Sequence, residues 1–271
     1  GVLFDANAPY KGARTALEKL KEAGKRVVLL SNSSKRRVDA LKNLVDKMKF
    51  GPPGVEGLYL DIITSGEVAF DLVTREATGI PCIKPGTKVF VCGSGDGDEE
   101  YVQNLGCEVG DPADCDWVLA RGNFVLVSTS TPGAQENALA HKKEQVVVVP
   151  VPPGRIDDGF AEQEAFFRSD ASGLGVACRR GVPLLVANPD MIRPGTNSPM
   201  PGTVGRLWAS GHLGRKGEVS SGAWMALCTV VYVGKPHPSV YEAALRILNE
   251  PEKKSEPAAG STQQDGTPAL R

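Results

Sequence analysis

Short branched apolar runs that stop abruptly at a glycine or polar tip, each next to a helical pattern, restrict this chain to folds built on a largely parallel sheet. One such run is Arg26-Val27-Val28-Leu29-Leu30, too short for a helix, which ends in Ser31-Asn32-Ser33-Ser34. Ahead of it, Ala16, Leu17, Leu20 and Ala23 keep helical spacing and stop at Gly24, a favourable residue just past a helix end. Lys88-Val89-Phe90-Val91-Cys92-Gly93, Asp116-Trp117-Val118-Leu119-Ala120 and Val182-Pro183-Leu184-Leu185-Val186-Ala187 repeat the strand signal. Helical stretches are expected over residues 98–105 and 161–178. A last strand, Thr229-Val230-Val231-Tyr232-Val233, turns at Gly234 and leads into Val240, Ala243, Ala244, Ile247 and Leu248 at helical spacing. The fold class is therefore α/β. Residues 146–153 carry three prolines and read as an edge strand or connector.

Two of these strand ends carry chemistry. Open α/β sheets bind ligands at the carboxyl ends of their strands, and Lys235 sits at one such end, where its ammonium can meet an anion. Ser31 sits at another, where its hydroxyl and nearby backbone N–H groups can donate to a phosphoryl oxygen. Each has a plain alternative. Lys235 can be a solvated lysine in a tight turn, and Ser31 to Ser34 can cap the helix that starts near Lys35.

Taken together, these segments resemble the haloacid dehalogenase superfamily of hydrolases, in its class with a large cap (class IIA), which includes aryl-phosphate, phosphoglycolate and NagD-like phosphatases. Gly1-Val2-Leu3 is similar to the tail of the family's first motif, Leu29-Leu30-Ser31-Asn32 to the second and Gly234-Lys235-Pro236 to the third. Ile63-Thr64-Ser65-Gly66-Glu67 and Ala187-Asn188-Pro189-Asp190 are similar to further segments of this class. The resemblance runs from Gly1 to about Leu248 and is weaker between about Val127 and Gly159. It implies a Rossmann-like parallel-sheet core with an inserted α/β cap: residues 1–70 and 229–250 as core, 71–228 as cap, and 251–271 as a disordered tail. It also implies a phosphatase acting on a small phosphorylated metabolite through an aspartyl-phosphate, with Mg²⁺ as cofactor. Lys235 and Ser31 would bind the phosphoryl group, and Asn32, Asn188 and Asp190 would contact substrate near the entrance. Asn188-Pro189-Asp190 is also good turn chemistry without any ligand. Arg193 is a weaker candidate partner for an anionic substrate. The resemblance leaves room for a homo-oligomer formed through the cap.

The chain also departs from the family pattern. The family's nucleophilic aspartate lies three positions before the glycine matching Gly1, and its acid/base residue lies immediately before it. Residues 249–271 carry no strand and no acidic metal motif, so the expectation is a phosphate cradle without its attacking carboxylate and Mg²⁺ ligands. Such a chain would be inactive by itself, truncated at both ends and marginally folded. Asp5 follows Val2-Leu3-Phe4 but reads better as a loop aspartate. Asp265-Gly266-Thr267 follows no strand. A second functional class stays open: a non-catalytic relative with a phosphate-binding cleft, acting in binding or regulation.

Composition narrows the partners. The net charge of −1 provides no basic field for nucleic acid or an anionic membrane. No run approaches the 18 or so apolar residues of a membrane span. The six cysteines contain no Cys-x-x-Cys pair and read as buried reduced thiols, which suits the cytoplasm, with organelle targeting left open. The three histidines are scattered, against a zinc cluster. The glycines of Gly93-Ser94-Gly95-Asp96-Gly97 depart from dinucleotide-binding spacing and read as a strand-to-helix turn.

Overall fold

The structure is a computed structural model that describes residues 2–4, 8–129, 146–153, 160–193, 198–211, 213 and 229–250. The expectations placed on Gly1, Asp5, Cys228, Asp265 and the tail lie outside the described residues. Helix α1 (Ala13–Glu22) buries Leu17 and ends before Gly24, whose φ of +67° suits glycine. Strand β1 (Val28–Ser31) follows, then α2 (Arg37–Lys42), which runs on into a π-helical turn, Asn43–Lys47. Strand β2 (Asp61–Thr64) pairs with β1 in parallel, with Val28 opposite Asp61 and Ser31 opposite Thr64, and leads directly into α3 (Ser65–Thr74). Successive residues of a strand face opposite sides. Leu29 and Ile62 accordingly pack on Leu17, Ala40, Leu44 and Phe50, while Leu30 and Ile63 face a different core.

The second sheet begins with β3 (Lys88–Gly93), α4 (Asp98–Asn104), β4 (Glu108–Val109), β5 (Trp117–Ala120), β6 (Val125–Ser128) and β7 (Val147–Pro150). It continues through α5 (Ala161–Arg168), α6 (Leu174–Arg179), β8 (Leu184–Val186), α7 (Gly202–Ala209), β9 (Val230–Tyr232) and α8 (Pro238–Asn249). The strand order is β7-β6-β3-β5-β8-β9, with β4 paired to β3. β3, β4, β5, β8 and β9 pair in parallel, whereas β6 pairs antiparallel with both β3 and β7 and so runs against the rest. The antiparallel part departs from a purely parallel reading for a local reason. Four residues, 121–124, carry the chain from β5 across the end of β3 into β6, too few for a parallel crossover. β7 is an edge strand, as its prolines led one to expect.

The stretch 161–178 is two helices and not one. A 3₁₀ turn, Asp170–Ser172, and Gly173 at φ +69° break it, because a left-handed residue cannot continue an α-helix. Along β3, β5 and β8 the side chains alternate strictly. Val89, Val91, Trp117, Leu119 and Leu185 join the core that also takes Ile63 of β2 and Val240, Ala243 and Ala244 of α8. Phe90, Cys92, Val118, Ala120, Leu184 and Val186 join the opposite core, under Phe167, Leu174, Val204 and Trp208. β9 lies beside β8, and α8 returns over β1, β2 and α3. Both sheets therefore share one core, and their strand ends meet where α8 begins. Cys92, Cys107 and Cys115 are buried free thiols, Cys178 is buried and Cys82 is half-buried. Among the described residues no helix is long and apolar enough to cross a membrane.

Candidate functional site

The carboxyl ends of β1, β8 and β9 converge through one asparagine. Asn32, the residue after β1, accepts a hydrogen bond from the Lys235 backbone N–H at 2.7 Å and donates through Nδ2 to Asp190 Oδ1 at 2.8 Å and to the Lys235 carbonyl at 3.3 Å. Lys235 Nζ donates to the Leu30 carbonyl at 3.2 Å, the peptide group that precedes Ser31. Among the described residues that is its one hydrogen bond, so two of its three N–H donors remain for a ligand. Gly234 makes this approach possible. Its φ is +129°, and a Cβ there would lie 2.5 Å from Pro189 Cδ and 3.0 Å from Asn32 Oδ1.

Ser31 Oγ accepts from the Ser33 N–H at 3.2 Å, which bends the chain just after β1. The buried Asn188 accepts from the Asp190 N–H at 2.9 Å and holds the turn that presents Asp190 to Asn32. All five predicted residues thus lie at one end of the sheets. Lys235, Asn32 and Asp190 are bonded directly, Asn188 acts through its turn, and Ser31 adjoins the carbonyl that holds the lysine.

The serines after β1 do not cap α2. That role falls to Glu67, in the first turn of α3, which accepts from the Arg37 N–H at 2.8 Å and from Arg36 Nε and Nη2 at 2.7 and 3.1 Å. Burial alone would push the Glu67 carboxyl up. The Arg36 hydrogen bond, the Arg37 amide and the two guanidinium charges outweigh it and hold the group below its ordinary value. The loop carrying Ser33 and Ser34 lies directly on α3. Gly66 N–H and Ser65 Oγ both donate to the Ser33 carbonyl at 3.0 Å. On the other side of Gly66, burial pushes the Tyr101 hydroxyl pKa up, and this hydroxyl donates to the Gly66 carbonyl at 2.7 Å.

A cleft of about 790 Å³ opens beside this loop, between α2 and the turn from β3 to α4. The sequence reading did not select Arg121 on its floor, although Arg121 follows strand β5 as Lys235 follows strand β9. Its Nη1 donates to Asp98 Oδ1 and to the Gly97 carbonyl, both at 2.9 Å. Arg193 also lines this cleft and sits over the Phe124 ring. The Gly93–Gly97 turn is held by Asp98, which accepts from the Gly95 and Ser94 N–H groups at 2.8 and 3.2 Å.

The chain compares with known proteins as follows. Residues 1–108 match the sequence model of haloacid dehalogenase-like hydrolases. The match covers 108 of the 271 residues, so it is a likeness to that family over less than half of the chain. A hydrolase of the haloacid dehalogenase-like family from Brucella suis 1330 superposes with a TM-score of 0.54 at 18% identity, covering 92% of this chain and 70% of that one. At that identity the likeness establishes a haloacid dehalogenase-like fold. A 4-nitrophenylphosphatase from Thermotoga maritima (TM-score 0.49, 19% identity, 90% and 68% covered) and a hypothetical protein from Pyrococcus horikoshii OT3 (0.48, 20%, 91% and 72%) are more distant in shape. No curated protein matches the chain.

Haloacid dehalogenase-like hydrolases are associated with Mg²⁺, and the donors around Lys235 can be tested against that ion. Among the described residues no group of three or more His, Cys, Asp or Glu side chains converges to hold a metal. The carboxylate nearest the lysine network, Asp190, is engaged by Asn32. The described residues therefore do not fit a Mg²⁺ site, which needs oxygen ligands free to point at one centre.

Proposed function

We propose that this chain holds the phosphoryl group of a small phosphomonoester between Lys235 and Ser31, in the manner of a haloacid dehalogenase-type phosphatase. The observation that carries this reading is the closure of Lys235 on the end of β1. The ammonium is fixed against the Leu30 carbonyl while Asn32 clasps the Lys235 backbone, next to a serine hydroxyl that has no partner among the described residues as a donor. Lys235 offers charge, Ser31 offers a neutral donor, and both lie at strand ends, where a phosphate meets little competing backbone. Asn32 and Asp190 set the lysine's position, and Asn188 sets that of Asp190. In this reading residues 71–228 are the cap and 1–70 with 229–250 the core, and the two meet along the β8–β9 pairing as well as at the Asn32–Asp190 bond.

Transfer would proceed through an aspartyl-phosphate, which needs a carboxylate free to attack phosphorus. Asp190 is bonded to Asn32, and this observation favours the second reading, a phosphate-binding relative without turnover. Titration of the chain with inorganic phosphate, followed by calorimetry, tests the shared part. Lys235→Ala should weaken binding by roughly tenfold or more, the loss expected for a charge-assisted hydrogen bond, and Ser31→Ala by less. Absence of phosphate binding by the unaltered chain would overturn both readings. Release of phosphate from phenyl phosphate, abolished in Lys235→Ala, would decide for the phosphatase.

A further inference from the structure

We infer that the cleft beside the phosphate-holding loop receives the body of the phosphorylated ligand, and that Arg121 on its floor reads a carboxylate carried by that body. This inference rests on the phosphoryl site proposed above. The two places share one loop: Ser34 Oγ, three residues after Ser31, donates to the Arg121 carbonyl at 2.5 Å, and the next residues, Lys35 and Arg36, line the cleft. A volume of about 790 Å³ far exceeds what a phosphate alone needs and lies in the range of small-molecule sites.

Arg121 is 5% exposed, yet its hydrogen bonding is incomplete. Nη1 is taken by Asp98 and Gly97, whereas the buried Nε has no partner among the described residues. Its counter-charge is also shared, because Asp98 accepts from the Ser94 and Gly95 amides as well as from Arg121. A buried, unsatisfied guanidinium N–H is costly and calls for an acceptor, and an ionised oxygen is the strongest one. The guanidinium is held in place from below, its Cζ 4.4 Å from the Tyr101 ring centroid.

Other features of the cleft fit a ligand with an apolar body. Val38 of α2 and Phe124 both line it, and they are 69% and 44% exposed. Large apolar side chains left open to water on two different elements would be covered by a flat hydrocarbon body lying between them. The carboxylates that line the cleft, Asp39, Asp46, Asp96 and Glu100, are all exposed, where water and salt screen them. Six cationic side chains line the same surface, two of which, Arg36 and Arg121, are paired with Glu67 and Asp98 behind it.

The test compares inorganic phosphate, phenyl phosphate, and 3- and 4-carboxyphenyl phosphate in calorimetric titrations of the 271-residue chain. At least one carboxyphenyl phosphate should bind roughly tenfold tighter than phenyl phosphate, the increment of a charge-assisted hydrogen bond. Arg121→Lys, which keeps the charge opposite Asp98 but removes Nε, should shrink that gap to about twofold or less. Phe124→Ala, at an exposed lip that does not threaten folding, should weaken every aryl phosphate about threefold or more. If inorganic phosphate binds but neither carboxyphenyl isomer exceeds phenyl phosphate, the role of Arg121 is overturned while the phosphoryl site stands. If inorganic phosphate does not bind, the phosphoryl site fails and this inference fails with it.

Discussion

Glu67 couples the acid stability of this protein to the loop that carries Ser31. Its carboxylate accepts three hydrogen bonds, from the Arg37 amide and two Arg36 nitrogens, and caps α2 from across the loop. The net effect lowers its pKa in the folded chain from the ordinary value of 4.5. A lowered folded pKa means that the native state binds its proton later than the unfolded chain does. The stabilisation is then fully present above pH 4.5 and is lost as pH falls through the lower folded value. Urea denaturation across the acid range should show this decline, and Glu67→Gln should flatten it. At neutral pH the same substitution should cost about 2 kcal/mol, the scale of hydrogen bonds to a charged group. An unchanged acid slope in the variant would remove Glu67 from this role.

Among the elements, the contact between the loop after β1 and the start of α3 sets where Ser31 and Ser34 point. At Gly66 an added Cβ would lie 2.1 Å from the Ser34 carbonyl oxygen and 2.7 Å from that of Lys35, both rigid backbone atoms. Gly66→Ala must push the loop away from α3, and it should destabilise the fold by about 2 kcal/mol or more. The phosphate affinity of the folded fraction should fall with it. A denaturation midpoint equal to that of the unaltered chain would mean that the loop yields freely.

The same loop shows what the amino-acid sequence reveals and what it hides. Lys235 and Ser31 could be found because each ends a branched apolar run, a purely local signal. The bonds that give them their geometry are not local: Asn32 to Asp190 spans 158 positions and Ser34 to Arg121 spans 87. Glu67 caps a helix that starts 30 residues before it, and no spacing rule would have preferred it to the serines next door. The break at Gly173 was hidden for a related reason, since the helical spacing of apolar residues continues across it. The direction of β6 depended on where a four-residue link lands, which only the paired strands specify.

For the molecule as a whole, the arrangement of cores decides how it unfolds. β3, β5 and β8 send alternate side chains to opposite faces, so neither core can loosen without disturbing the strands that line the other. One of these cores also takes Ile63 of β2 together with Val240, Ala243 and Ala244 of α8, which ties the two-stranded sheet to the larger one. Arg26, just before β1, fastens the far end of α8 by donating to the Leu248 carbonyl at 2.6 Å and the Glu250 carbonyl at 3.1 Å. Unfolding should therefore be a single transition. Trp117 and Trp208, both fully buried and in different cores, are suitable reporters. In variants in which Trp224 is replaced and one or the other of these two tryptophans is retained, the urea midpoints should coincide. Val240→Ala removes packing from the Trp117 core alone and should cost about 2 kcal/mol. Because the strands are shared, it should move the Trp208 midpoint by the same amount, and a Trp208 transition that stays in place would mean that the two faces unfold independently.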